Sequence, residues 1–195
     1  GVGDKVLYTP HGASFLREDI SRQKKFFYIM LERFADALSG SVICCSESEC
    51  KAFKKIGIEK ASFINNSCPP LSKRSSSVRI NGKLLIISSG RMTYQKNPEM
   101  FQAIAKHFAG WKNVEFLWIG VDEREDEFCT ENLSATGWVN QSQVAEIMAS
   151  ADIYVSTSRW EGLPISVLEA MSLGIPLLLS DCVGNCDCVK GNGFL

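Results

Sequence analysis

Long apolar runs are missing from this 195-residue chain: no stretch reaches the roughly 18 uncharged residues that a membrane-crossing helix requires. No basic segment followed by an apolar one opens it, so no secretion signal is expected and the cytosol is the expected location. A dominant charge sign is missing too. Lys and Arg number 21 against 22 Asp and Glu, a net charge of −1, and the mild excess of bases up to residue 78 is too small to argue for nucleic acid. It leaves open an anionic or membrane-borne partner facing that part of the chain. No G-x-G-x-x-G follows a strand-like run, which counts against a dinucleotide dehydrogenase. Histidine is scarce, with 2 in all. That scarcity weakens the one metal-like cluster, Cys182, Cys186 and Cys188 with Asp181 and Asp187 nearby, because structural zinc is held by paired Cys motifs or by Cys with His. No metal and no cofactor is expected.

What is present is a 45% hydrophobic composition, enough to build the core of one large domain or two small ones. The 8 cysteines are expected as reduced thiols, since Cys44 and Cys45 sit within a strand-like run in a long α/β pattern. Lys5–Thr9 reads as a buried strand ending at Pro10, which leaves His11 at the carboxyl edge where open α/β sheets place ligands. Phe27, Met30, Leu31, Phe34 and Leu38 recur at helical spacing between Arg22 and Leu38, which predicts a helix packed on a core, the alternative for so aromatic a face being a membrane-facing helix. Strands follow at Ser41–Cys45 and Ala61–Ile64, around a helix from Ser46 to Lys55 with Ser46 as N-cap and Glu49 completing a capping box. The polar stretch Ser72–Ser77 predicts a linker and a domain boundary. A second α/β run then has strands at Lys83–Ser88, Val114–Ile119, Asp152–Ser156 and Ile175–Leu179, with helices after Pro98 and from Gln141 to Ala149.

The most informative stretch is STSRWEGLPISVLEAMSLGIP, residues 156 to 176. Its strand gives way at Gly162 and Pro164 to a helix carrying Val167, Leu168 and Met171 inward. Pro164 suits the first helical position, and Gly174 with Pro176 closes the helix. A helix start of this kind offers free amides to an anion, for which a phosphate is the natural guest. Glu161 and Glu169 bracket the turn. As carboxylates they suit sugar hydroxyls, or they are merely a solvated loop acid and an exposed helix acid. Arg91 and Lys96, across a strand-to-helix loop in SGRMTYQKN, can converge on one group of oxygens, or are two solvated bases.

Together, E-G-L-P-x-x-x-L-E-A-M-x-x-G-x-P closely resembles the signature of family 4 retaining glycosyltransferases, which have the GT-B fold of two facing Rossmann-like domains. YTPHGASF resembles that family's histidine-glycine loop, and Gly90, Arg91 and Lys96 resemble its pyrophosphate clamp. The segment Thr136–Val139 is similar to the one whose backbone, at the position of Val139, reads the nucleotide base. Trp138 beside it is either a base-stacking or a core residue. The pattern departs at Val183, where a glycine is usual, and at Asp187, where a glutamate is usual.

The resemblance implies that residues 1–78 form the second half of the N-terminal, acceptor-side domain and 79–195 most of the C-terminal, nucleotide-sugar-binding domain without its final helices. It implies a truncated chain that binds a donor without transferring it. The parent would be a metal-independent hexosyltransferase moving a sugar, with retention, from a UDP- or GDP-sugar to a glycan or lipid-linked acceptor in polysaccharide synthesis, with peripheral membrane contact open for the full-length enzyme. His11, Glu161, Arg91 and Lys96 would act on the reacting sugar and its diphosphate. Arg91, Lys96, Val139, Glu161, Gly162, Leu163, Pro164, Ile165 and Glu169 would bind the donor. The alternative is a nucleotide-sugar-binding or regulatory module without transferase activity.

Overall fold

A computed structural model describes residues 6–38, 40–71, 82–120 and 128–195. Two parallel sheets organise them. The first has the order β1-β2-β3, from strands β1 (Leu7–Tyr8), β2 (Ser41–Cys44) and β3 (Ser62–Phe63). Helix α1 (Arg22–Ala37) joins β1 to β2, and α2 (Glu47–Lys55) joins β2 to β3. Phe53, Ile58, Ala13 and Phe15 close this smaller core.

The second sheet is built from β4 (Leu84–Ser89), β5 (Val114–Ile119), β6 (Leu133–Ala135), β7 (Ile153–Ser156), β8 (Leu177–Leu179) and β9 (Gly193–Phe194), with helices α3 (Pro98–His107), α4 (Gln141–Ser150) and α5 (Ile165–Ser172). Its order is β6-β5-β4-β7-β8-β9, and every pairing is parallel. Successive residues point to opposite faces of a strand. Ile87 and Tyr154 therefore join Val167 and Ala170 in one core, while their neighbours Ile86 and Val155 join Phe101 and Trp118 in another. A sheet buried on both faces explains the continuous apolar runs of β4 and β7. Each fully buried large apolar side chain contributes about 1.5–3 kcal/mol, and Trp118, Phe101 and Ile87 are all fully buried.

The chain runs outward from β4 through β5 to β6, then crosses back to lay β7 on the other side of β4. This is the doubly wound arrangement in which ligands bind outside the carboxyl ends of the strands where the direction reverses. The crevice beyond β4 and β7 is therefore the place to look.

Several expectations from sequence are corrected. β1 is a two-residue strand at the sheet edge, with Leu7 and Tyr8 exposed, so it is not the buried strand that its apolar letters predict. α1 buries none of its residues; Phe27, Met30, Leu31, Phe34 and Leu38 are exposed because no described element lies over that face. Pro164 is the N-cap of α5, extended at ψ 120°, and Ile165 takes the first helical position. Trp138 is 80% exposed and packs in no core. The linker at Ser72–Ser77 and the boundary at residue 78 lie outside the described residues.

Candidate functional site

At the switch point β4 ends at Ser89, and the loop that opens with Gly90 packs against the residues just past β7. Gly90 has φ +134°, and a Cβ there would stand 3.1 Å from Lys96 Cε, so only glycine lets the lysine stem cross the strand end. Thr157, just past β7, donates its hydroxyl to the carbonyls of Lys96 and Asn97 at 3.0 Å each. The Arg159 backbone amide donates to Gln95 O at 2.8 Å, its guanidinium donates to Asn97 Oδ1 at 2.9 Å, and it lies 4.3 Å over the Tyr94 ring. The loop holding Lys96 is thus fixed from the β7 side.

Lys96 Nζ meets Glu161 Oε1 at 2.7 Å. Glu161 is only 6% exposed, accepts from Ser158 Oγ at 2.7 Å, and has its amide donated to Val183 O. Burial pulls the Lys96 ammonium down most strongly, but Glu161 and Tyr154 oppose it and the net pKa is raised. Lys96 is therefore a fixed cation beside a buried carboxylate. Arg91 does not join them: it is exposed and lines a cavity of about 310 Å³ with Gly12, Arg17, Asp19, Tyr94 and Trp160. The two cations expected to converge face neighbouring spaces.

α5 starts directly after this pair. The amides of Val167 and Leu168 both reach Pro164 O, so those of Ile165 and Ser166 lie ahead of the helical ladder. One turn on, Glu169 is 6% exposed and accepts from Gln141 Nε2 at 2.6 Å. Burial raises its pKa, and the Gln141 hydrogen bond offsets part of the rise. Both glutamates are therefore buried and hydrogen-bonded, which removes the reading of them as solvated acids. Val139 packs partly buried against the core beside α5. Beyond Val139 and Asn140, Gln141 opens α4 behind a full Asn140–Gln143 capping box.

The smaller sheet closes over this region. A Cβ on Gly162 would sit 2.6 Å from Cys45 Sγ, 2.8 Å from Gly12 N and 3.0 Å from His11 C, so the two loops touch backbone to backbone. Asn66 Nδ2 donates to Leu163 O at 2.9 Å. Asp187 accepts the Ser48 amide on both oxygens at 3.2 Å and bonds its hydroxyl closely, while Gly184 N donates to Ser48 Oγ at 2.8 Å. His11 thus reaches the Gly162 loop with φ +48°, a left-handed conformation that costs a side-chain-bearing residue about 1–3 kcal/mol. The surrounding contacts hold it there.

Sequence reasoning missed Ser158, Gln95 and Gln141, polar residues whose partners come from another element, and it mistook one role of Glu49. Ser46 does cap α2, accepting from Glu49 N. The Glu49 carboxylate, however, turns away from the N-cap amide and accepts from Gly12, Ala13 and Cys45. All 8 cysteines are free thiols. Among the described residues no three His, Cys, Asp or Glu side chains gather as an ion would need, and no helix is long and apolar enough to cross a membrane.

Residues 83–195 match the family described as "Glycosyl transferases group 1". The chain is 33% identical over 205 residues to the O-antigen biosynthesis glycosyltransferase WbnH of Escherichia coli, covering 100% of this chain and 56% of that protein. It is 29% identical over 215 residues to an Escherichia coli UDP-Gal:alpha-D-GlcNAc-diphosphoundecaprenol alpha-1,3-galactosyltransferase, covering 97% and 54%. Among solved structures, Anabaena HepE in complex with UDP-glucose superposes with a TM-score of 0.74 at 20% identity over 97% of this chain and 57% of that one. S. aureus TarM, bound to Fondaparinux, alpha-GlcNAc-glycerol and UDP, gives a TM-score of 0.77 at 18% identity over 97% and 40%. The fold is of the GT-B type. The chain spans about half the length of the curated relatives it matches.

Proposed function

The chain belongs to the glycosyl transferases group 1 family, and from that premise we propose that its parent protein moves a hexose from a UDP- or GDP-sugar to a glycan or lipid-linked acceptor, with retention at the anomeric carbon. The observation that carries this reading is the switch-point crevice, where Lys96 and Glu161 form a buried pair directly before α5 and Glu169 lies one turn into that helix. The relatives named for O-antigen and diphosphoundecaprenol-linked synthesis support the acceptor class.

In such a reaction a nucleoside diphosphate departs as the glycosidic bond stretches, so catalysis consists largely of holding charge that develops on the leaving oxygens. Lys96 from the buried pair and Arg91 from the neighbouring cavity approach that charge from two sides, with the Ile165 and Ser166 amides, without a metal being required. Pro164 fits this role better as N-cap than inside the helix, since it leaves the Ile165 and Ser166 amides as the first donors. Glu169, held by Gln141, accepts from the ribose hydroxyls. The backbone of Val139 reads the base, and the exposed ring of Trp138 offers it a stacking face. Glu161 keeps Oε1 on Lys96 and Ser158, and in this reading Oε2, which has Gln95 Nε2 at 3.5 Å, serves the donor hexose beside Gly162. His11 approaches that sugar from the opposite side of the cleft. In this reading residues 1–78 serve the acceptor side and 79–195 the donor side, and the protein works in the cytosol or at the inner membrane face.

A thermal-shift screen on the parent protein tests this. UDP or GDP and their sugars should raise the melting temperature while NAD and ATP do not, and by mass action a ligand at 100 times its Kd adds about 2.7 kcal/mol. EDTA should leave the shift unchanged. No shift with either diphosphate at saturating concentration would rule out the donor site.

A further inference from the structure

Glu49 is a fully buried acid, 0% exposed, and none of the ion pairs among the described residues includes it. A buried carboxylate without a cation survives only if its lone pairs are met by donors. Here they are. One oxygen accepts from Gly12 N at 2.7 Å and Ala13 N at 3.0 Å, and the other from Cys45 N at 3.0 Å and Cys45 Sγ at 3.2 Å. Four donors fill the capacity of an ionised carboxyl group, which has about four acceptor sites and no donor. The start of α2, where Glu49 stands in the first turn, adds the favourable end of a helix dipole. Burial and the charge of Glu49 push the Cys45 thiol up to about 12, so the sulfur keeps the proton it donates.

The donors come from two places. Gly12 and Ala13 are the two residues after His11, whose φ of +48° is matched by +101° at Gly12. Cys45 is the residue whose sulfur would collide with a Cβ on Gly162. One carboxylate therefore ties the histidine turn to the strand end that abuts the Glu161–Leu163 loop. A plain capping box would need only the Ser46 amide, and would leave the turn after His11 without these acceptors.

We propose that Glu49 is the positioning residue of His11: its buried carboxylate holds the left-handed His11–Gly12 turn by the two following amides and sets it against Gly162 through Cys45. The proposal rests on the donor-site reading above. Glu49 touches no substrate and acts through the histidine. Glutamine cannot replace it, because its amide nitrogen would face either the Cys45 N–H or the Gly12 and Ala13 N–H groups, donor against donor.

The test is a double-mutant cycle in the full-length parent, with turnover read from a radiolabelled UDP- or GDP-sugar and UDP or GDP affinity read by calorimetry. Glu49→Gln should lower kcat on the order of 100-fold, the cost of misplacing a reacting group by about an ångström. The diphosphate Kd should change less than about 3-fold, since that ligand is held from α5. In a His11→Ala background the same substitution should lower kcat by less than about 3-fold more, because residues acting through one another are not additive. Equal losses in both backgrounds, or no loss in the wild-type background, overturn the proposal.

Ala13→Pro repeats the cycle without touching Glu49. Ala13 has φ −59°, which proline accepts, and the change deletes one of the two turn amides. It should also lower kcat in the wild-type background and add little to His11→Ala; if it acts equally in both, the proposal fails even where Glu49→Gln does not fold. A parent that binds diphosphate but shows neither effect refutes the role of Glu49 alone, whereas a parent that binds no diphosphate refutes the donor reading and this proposal with it.

Discussion

The site turns on two residues, Lys96 and Glu161, because neither is well solvated: their side chains are 22% and 8% exposed. Breaking a buried pair from one side leaves an uncompensated charge, at a cost of about 3–5 kcal/mol, while replacing both partners is often close to neutral. Lys96→Met should therefore lower unfolding stability in that range, and Lys96→Met with Glu161→Gln should recover most of it. Urea unfolding of the three variants checks this; a double variant no better than the single one would contradict the pairing. Glu169 runs the other way. Its pKa is raised by burial, so its contribution to stability is full below the ordinary glutamate value and is lost as pH climbs through the raised one. Glu169→Gln should accordingly match the wild type in acid and become the more stable of the two as pH rises to neutral. Melting temperatures across that range read it directly. A difference that shrank with rising pH would mean that the carboxylate is stabilised, not strained, in the free protein.

At the scale of elements, the contact between the two sheets depends on Gly162. An added Cβ meets Cys45 Sγ at 2.6 Å and Gly12 N at 2.8 Å, and overpacking of that kind costs about 1–3 kcal/mol. Gly162→Ala should lower donor-sugar affinity more than diphosphate affinity, since it pushes the histidine loop away from the sugar while leaving the start of α5 in place; calorimetry with both ligands checks it, and equal losses would contradict it. That the glycine and the two glutamates bracket a strand-to-helix turn was legible, because a strand, a break and a helix start fix where they fall; that both acids are buried was not, since spacing left them open as a solvated loop acid and an exposed helix acid. The strands β4, β5 and β7 and the helices α3 to α5 were legible for the same reason, their apolar letters repeating at the period of the element. What was hidden depends on distant partners. Glu49 has the spacing of a capping box, and only tertiary contact turns its carboxylate to Gly12 and Ala13. α1 has a full helical stripe, but periodicity says that a face is apolar, not that anything covers it. β6, three residues long, is too short to show a period at all, and exists because β5 offers it an edge.

At the scale of the whole molecule, the described residues form two parallel sheets that meet edge loop to edge loop across Gly162, with the hydrogen bonds Asn66 to Leu163 and Ser48 to Asp187 on either side. The larger sheet reverses direction between β4 and β7, and that reversal, rather than any one motif, makes the crevice into which Lys96, Glu161 and Glu169 are delivered from three different segments. Asp187 does not pair with the crevice residues: it caps α2 instead, so its departure from the family's glutamate bears on how the sheets are joined. In the proposed reading this crevice divides one donor into a nucleotide end at Glu169 and a sugar end at Glu161. Calorimetric titration of UDP, GDP and their hexose conjugates into the full-length parent and its Glu161→Ala and Glu169→Ala variants tests it most directly. Glu169→Ala should weaken the diphosphate by about 1–3 kcal/mol, the cost of leaving hydroxyls without a charged acceptor. Glu161→Ala should leave the diphosphate unchanged and weaken only the intact sugar donor. Equal losses of diphosphate in the two variants would contradict the account.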